Sequence, residues 1–404
     1  MVDRFFSLWA LVIPMTSVVL VPSIKGTLPS YILAVLSFFL GVHNYKNYSI
    51  KLLFKILLVF VFMVLVGQFC LLSCGEFLPN LILVDVKDLK TVEFRTTLIT
   101  QGIYLLPCVL TFIYTKSFYK TSWDKWIFAG GTVLALYGIY EWGYFLVTGE
   151  NGDFLSNRWF GDDPSVMGGS LFQQINLGGF IVQRLKSLVG EPSMYAYSMI
   201  AYWIYALHNG KKKLAWLYFS TLLLSTSTSA FVGIFIYGFY RFLKYGETRN
   251  VIKVVFVIVI STVLFYDIIY DFVDKMILAK VYMENLSGEE RGGNILDALD
   301  VFVNSPFAIK LFGWGWGTIR STDFFSTLLI NTGMVGFVLW TLSVLYPCLK
   351  EEKSYRFDGL KAILIIEYII MMISVSEFSY LFYWMFLGVA YNAVENSRNY
   401  IENK

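Results

Sequence analysis

The stretch "IKLLFKILLVFVFMVLVGQFCLL", residues 50–72, decides the kind of fold this chain adopts. Beyond Lys55 it is apolar without a break from Ile56 to Val66. A helix of about 20 such residues crosses the roughly 30 Å hydrocarbon core of a bilayer and satisfies its own backbone polar groups. The same material recurs along the chain. Of 404 residues, 57% are apolar, 18% aromatic and only 15% charged, so the sequence describes an integral membrane protein. A net charge of +3 gives no nucleic-acid footprint.

Reading each apolar run as a helix gives an all-α polytopic domain with twelve spans, near 5–24, 27–43, 50–72, 97–115, 126–148, 191–208, 214–225, 228–243, 251–271, 323–347, 359–376 and 378–394. The first, within "MVDRFFSLWALVIPMTSVVLVPSI" (1–24), is longer than a signal-peptide core and has no small-x-small cleavage site, which predicts an uncleaved span. "STSTS" (225–229) interrupts one apolar run and reads as either a tight turn between two short spans or a polar break in a tilted one. Cys70, Cys74, Cys108 and Cys348 lie in or beside apolar runs, without the spacing of a metal site.

Orientation follows from the short loops. "KNYSIK" (46–51), "KSFYK" (116–120), "KKK" (211–213), "RFLKYGETRNVIK" (241–253) and "KEEKSYRFDGLK" (350–361) fall on one side, which the positive-inside rule makes cytoplasmic. Both termini are then cytoplasmic, and 73–96, 149–190 and 272–322 face outward. The last two exceed the usual loop length more than twofold and read as functional segments. In the second of them, Ile295, Leu296, Leu299, Phe302 and Val303 have helical spacing up to Pro306, predicting an amphipathic helix at the membrane surface.

Basic residues on the outer side run against the positive-inside bias. Arg158, Arg184, Lys186, Arg291, Lys310 and Arg320 all lie in the two long outer loops. For Lys186 and Lys310 the ordinary explanation is a solvated, snorkelling side chain. For the arginines a planar fork suits bidentate binding of phosphate oxygens, and several of them at a membrane surface suit a lipid-linked diphosphate.

Carboxylates accompany these cations. In "RLKSLVGEPSMYAYSMI" (184–200), Glu191 precedes Pro192, which is tolerated in a first helical turn, so Glu191 opens a span as a helix cap or as a base beside Arg184 and Gly190. Tyr195 lies one turn further along, most simply as packing. In "FGWGWGTIRSTDFF", Asp323 opens the next outer span, either as an N-cap or as a second acid. Trp314 and Trp316 read as membrane-interface anchors or as stacking platforms for sugar rings.

The combination of "R…VGEPSMYAY" with "ERGG…SPF…LFGWGWG…STDFFSTLLINTGMVG" resembles the O-antigen polymerase and ligase superfamily, and most closely its Wzy-like polymerase branch. The resemblance covers roughly residues 180 to 340. It implies a glycosyltransferase of the GT-C type in the bacterial cytoplasmic membrane. Such an enzyme joins undecaprenyl-diphosphate-linked oligosaccharide repeats on the outer face, with no cofactor or metal, and has a chain-length regulator protein as a partner. It also implies Arg184 and Arg291 as diphosphate ligands and Glu191 as the glutamate of an EPS motif. Ligases of the superfamily carry a histidine where this chain has Asp323, and His43 and His208 fall on the cytoplasmic side, which favours polymerisation over ligation.

On chemical grounds Arg184 and Arg291 would stabilise the departing diphosphate, and Glu191 or Asp323 would accept the proton of the attacking sugar hydroxyl. Arg158, Arg320, Tyr195, Trp314 and Trp316 are the candidate substrate contacts. A twelve-span transporter or flippase is the rival of another class, but Glu141 and Glu367 within the spans form no traceable relay, and the link between spans six and seven is only "HNGKKK".

Overall fold

The computed structural model describes the chain except residues 25, 45–47, 75–95, 159–172, 178–179, 247–285, 351–353 and 403–404. The described residues are mostly helical. In chain order the helices are α1 (Val2–Val12), α2 (Pro29–His43), α3 (Ile50–Cys74), α4 (Thr96–Phe118), α5 (Asp124–Thr148), α6 (Pro192–His208), α7 (Lys212–Leu224) and α8 (Thr228–Tyr245). After these come α9 (Leu286–Asn304), α10 (Phe307–Phe312), α11 (Phe324–Leu345), α12 (Tyr355–Ser374) and α13 (Leu381–Glu402). Among the described residues three segments are long and apolar enough to cross a membrane: Ile50–Ser73, Thr97–Phe118 and Phe324–Leu349. The expected span at 251–271 lies outside the described residues.

Two departures from the sequence expectation have clear causes. The first helix stops at Val12 instead of running to residue 24, because Pro14 lacks an N–H and disfavours helical geometry at the residue before it. A β-hairpin also interrupts the all-α reading: β1 (Gln174–Leu177) pairs antiparallel with β2 (Phe180–Gln183), Gln174 opposite Gln183.

Contacts divide the chain into two compact units: one comprises 1–6, 30–123 and 290–404, and the other 7–29 and 124–289. In the first, α4 packs along α13, while α11 packs on α3, α10 and α12. Its centre is a backbone lock formed by the glycine-rich motifs. Gly313 and Gly333, with φ of 81° and 63°, press against the backbones of Asn331 and Leu311 respectively, where a Cβ has no room. Gly333 kinks α11, Trp314 N–H donates to Ile330 O at 2.7 Å, and the Asn331 amide brackets Ile319, accepting from its N–H and donating to its carbonyl, both at 2.9 Å.

The second unit is built on α6, which is buried on nearly all faces and packs against α5, α7 and α8. "STSTS" is a tight turn: α7 ends at Leu224 and α8 starts at Thr228.

Candidate functional site

The opening of α6 sets the position of the charged segment before it. Glu191 has extended geometry, φ −152° and ψ 165°, and Pro192 is the first helical residue. Upstream, residues 183–190 are all buried, and neighbouring elements take up their backbone groups. Arg184 N–H donates to Gln173 O at 2.9 Å, continuing the hairpin ladder, and Leu185 N–H donates to Leu224 O at 3.1 Å. Leu188 O accepts from Thr16 N–H at 3.0 Å and Ser17 N–H at 3.2 Å. Ser187 adopts φ 56°, uncommon for a residue with a side chain, and its hydroxyl donates to Leu134 O at 2.6 Å.

Two cations of this segment have opposite environments. Lys186 is completely buried, with Nζ 2.5 Å from Asp153 Oδ2 and 3.4 Å from Glu141 Oε1. This corrects the expectation of a solvated lysine: a buried ammonium needs a counter-charge, and here it has two. Burial pushes the Asp153 carboxyl up, but the Lys186 ammonium and the bonds from Ser156 outweigh it and hold the pKa down at about 2. Gln183 Nε2 donates to Glu141 Oε1 at 3.1 Å, so Glu141 does belong to a charge cluster.

Arg184, only 9% exposed, makes no ion pair among the described residues. Its Nε donates to Ser225 O at 3.3 Å and its Nη1 to Gln173 Oε1, and among the described residues no carboxylate lies within 4.0 Å and no partner is found for Nη2. Burial pulls its pKa down, and the neighbouring Glu191 carboxylate partly restores it. Glu191 is half-buried, its carboxylate makes no cap bond, and it accepts instead from the Ser193 hydroxyl. A buried guanidinium with an open donor beside a half-buried carboxylate is an arrangement able to hold an anion next to a proton acceptor.

The other expected site residues divide differently. Arg158 stitches the loop after α5 to the segment after α1, its N–H to Ser17 O and its Nη1 to Thr16 O, both at 3.0 Å. Tyr195 is wholly buried, as packing predicts. Asp323 is wholly buried and caps α11, accepting from Ser326 N–H at 2.7 Å and the Ser321 hydroxyl at 2.9 Å. Arg320 is paired with Glu377. Arg291 lies on α9 in the first unit, and its side chain is outside the described residues.

Trp314 is corrected. Trp314 is 2% exposed in a core with Leu71, Val301 and Ile309, its indole donating to Ser305 Oγ at 3.0 Å, so it neither anchors at an interface nor stacks on sugar. Trp316 is buried in the wall of an apolar cavity of about 290 Å³, edge-on to Phe60 at 5.3 Å. On α9, Ala298 and Val301 face the core, leaving Leu296, Leu299 and Val303 of the expected stripe exposed. Lys310 is half-buried.

No family model, no curated protein and no solved structure matches this chain. The sequence reading missed Gln173 and Gln183, which the hairpin delivers to Arg184 and Glu141. Their signal was Gly178–Gly179 between the alternating run "QINL" and the apolar β-branched run "FIVQ", the sequence pattern of a two-residue hairpin.

Proposed function

We propose that this protein is a metal-independent polymerase of surface polysaccharide in the bacterial cytoplasmic membrane, joining oligosaccharide repeats carried on undecaprenyl diphosphate. In this reading the chain has twelve spans with a GT-C type arrangement, both termini are cytoplasmic, and the segments 149–190 and 272–322 carry the outer-face site. The observation that supports it is Arg184, a buried cation without a carboxylate partner among the described residues. Burying an unpaired charge is costly, so such an arginine is best explained by a ligand that brings the negative charge.

Arg184 holds the diphosphate of the donor, and Arg291, which the sequence resemblance implies as a second diphosphate ligand, is tested beside it. The hydroxyl oxygen of the acceptor sugar attacks the anomeric carbon, the bond from that carbon to the diphosphate oxygen breaks, and its electron pair leaves with the diphosphate. Glu191 accepts the hydroxyl proton. In a polymerisation assay with lipid-linked repeats, Arg184→Ala and Arg291→Ala at normal expression should stop chain growth, and Glu191→Gln should slow it by orders of magnitude. Full-length polymer from the arginine variants would refute the diphosphate site, and undiminished turnover of Glu191→Gln would remove it as base.

The buried Glu141, Lys186 and Asp153 cluster favours a second reading, an ion-coupled carrier of lipid-linked oligosaccharide, since buried ionisable groups mark such pathways. Movement of the lipid across proteoliposomes without sugar joining would select it.

A further inference from the structure

Two non-glycine residues among those described have positive φ, Ser187 at 56° and Thr226 at 43°, and both border the clamp that holds Arg184. Leu185 N–H donates to Leu224 O, and Arg184 Nε donates to Ser225 O, the carbonyl immediately before Thr226. Glycine or asparagine adopts this geometry readily, whereas a β-branched side chain there is strained. Strain of this kind persists where a side chain is needed at that point, and it gathers at binding sites.

Ser187 accounts for its own strain, because its hydroxyl is bonded to Leu134 O. Thr226 does not. Its Oγ1 is buried and has no hydrogen-bond partner among the described residues. An unmade bond to a buried hydroxyl is destabilising, so among the described residues the chain carries both strain and an idle donor one residue past the carbonyl that the guanidinium bonds, and the Nη2 of that guanidinium is likewise unengaged among them. The following residue, Ser227, is the N-cap of α8 without a side-chain cap bond, so the positive end of that helix dipole adjoins the same turn.

We propose that the α7–α8 turn is the second wall of an oxyanion site, in which Thr226 Oγ1 donates to a phosphate-type anion that Arg184 holds from the other side. This rests on Arg184 as the anion ligand but not on polymerisation. A phosphate group has several acceptor oxygens and is met best by charge from one direction and neutral donors from another. The anion belongs either to a lipid diphosphate or to a free one.

The test is calorimetric titration of the purified full-length protein in detergent with inorganic pyrophosphate and, separately, farnesyl diphosphate. Thr226→Val removes the hydroxyl and keeps the branched shape, and Thr226→Ser keeps the hydroxyl. Valine should weaken binding about tenfold, the worth of one hydrogen bond to a charged group, without lowering the unfolding temperature. Serine should bind as wild type does. Preference for farnesyl diphosphate assigns the anion to a lipid and equal affinity to a free diphosphate, and either supports the site if valine weakens it. If Arg184→Ala abolishes binding while Thr226→Val binds normally, the role of Thr226 is overturned and Arg184 stands. If Arg184→Ala binds normally, or wild type binds neither probe, both fall.

Discussion

Lys186 lies 2.5 Å from Asp153 with both side chains closed to solvent, a pairing that ties the loop after α5 to the segment leading into α6. Asp153 Oδ1 meanwhile accepts from Ser156 N–H at 3.0 Å and the Tyr137 hydroxyl at 3.0 Å, so one carboxylate organises the turn around it. Two residues before Lys186, Arg184 donates to neutral acceptors among the described residues, with the Glu191 carboxylate as its charged neighbour. One cation of the pair holds the loop in place, and the other is left with electrostatic capacity for a ligand.

Acid should release the first of these. Asp153 has a pKa of about 2 when folded, against an ordinary value of 3.8, so the folded state binds fewer protons than the unfolded state between those values. Its contribution is complete above about pH 4 and is lost as pH falls toward 2, amounting to roughly 2 kcal/mol. Thermal unfolding in detergent between these pH values should show a steep loss in the wild type and a shallower one in Asp153→Asn. Parallel acid limbs for the two proteins would mean that the Lys186 pair carries no such linkage.

The two cations should also respond in opposite ways to an apolar replacement. Lys186→Met leaves Asp153 and Glu141 facing each other in a buried site, a loss of about 3–5 kcal/mol. Arg184→Met removes a charge without a carboxylate partner, so stability should be unchanged or rise while diphosphate binding disappears. Unfolding temperatures of the two variants separate the roles, and a stable Lys186→Met beside an unfolded Arg184→Met would reverse them.

The helices were legible in the sequence because their signal is local: α2 to α8, α11 and α12 begin and end within a few residues of where apolar runs and turn residues put them, whereas α13 runs eight residues past the expected end at 394, to Glu402. The same local signal erred at α1, where an apolar stretch continues past Pro14 but the backbone instead meets Leu188 through Thr16 and Ser17. Arg184 and Glu191 could be picked out by residue type and position. Lys186 could not, because its fate depends on Asp153, 33 residues away, and on Glu141 on another element. A charge pattern read along the chain contains no information about which of two neighbouring cations finds a counter-charge across it. The glycine-rich motifs misled for a related reason: Trp314 lies among turn-forming glycines in sequence but in a core made by α3, α9, α10 and α11 in space.

Asp323 should prove structural. Its two oxygens accept from Ser326 N–H and the Ser321 hydroxyl in a site without solvent, so Asp323→Ala loses an N-cap worth about 1–2 kcal/mol and leaves buried donors unmet. The variant should unfold at a lower temperature yet, per folded molecule, match the wild type in the polymerisation assay that tests the proposed function. Normal stability with lost turnover would instead give Asp323 a chemical role.

Packing of α4 on α13 should depend on one small residue. A Cβ placed on Gly388 would meet the Thr115 hydroxyl and come within 2.7 Å of Phe112 O and 3.0 Å of Lys116 N. Thr115 can rotate, but the two backbone atoms cannot withdraw without parting the helices, so the close approach relies on a residue without a side chain. Gly388→Ala should therefore cost about 1–3 kcal/mol, the range for overpacking a dense interior, and a larger side chain should prevent accumulation of folded protein. Truncating Thr115 to alanine in the same chain should not restore stability, because the obstruction is backbone. The unfolding temperatures of the single and double variants decide it: recovery in the double variant would place the clash on the Thr115 side chain, and an unaffected Gly388→Ala would mean the two helices have room to spare.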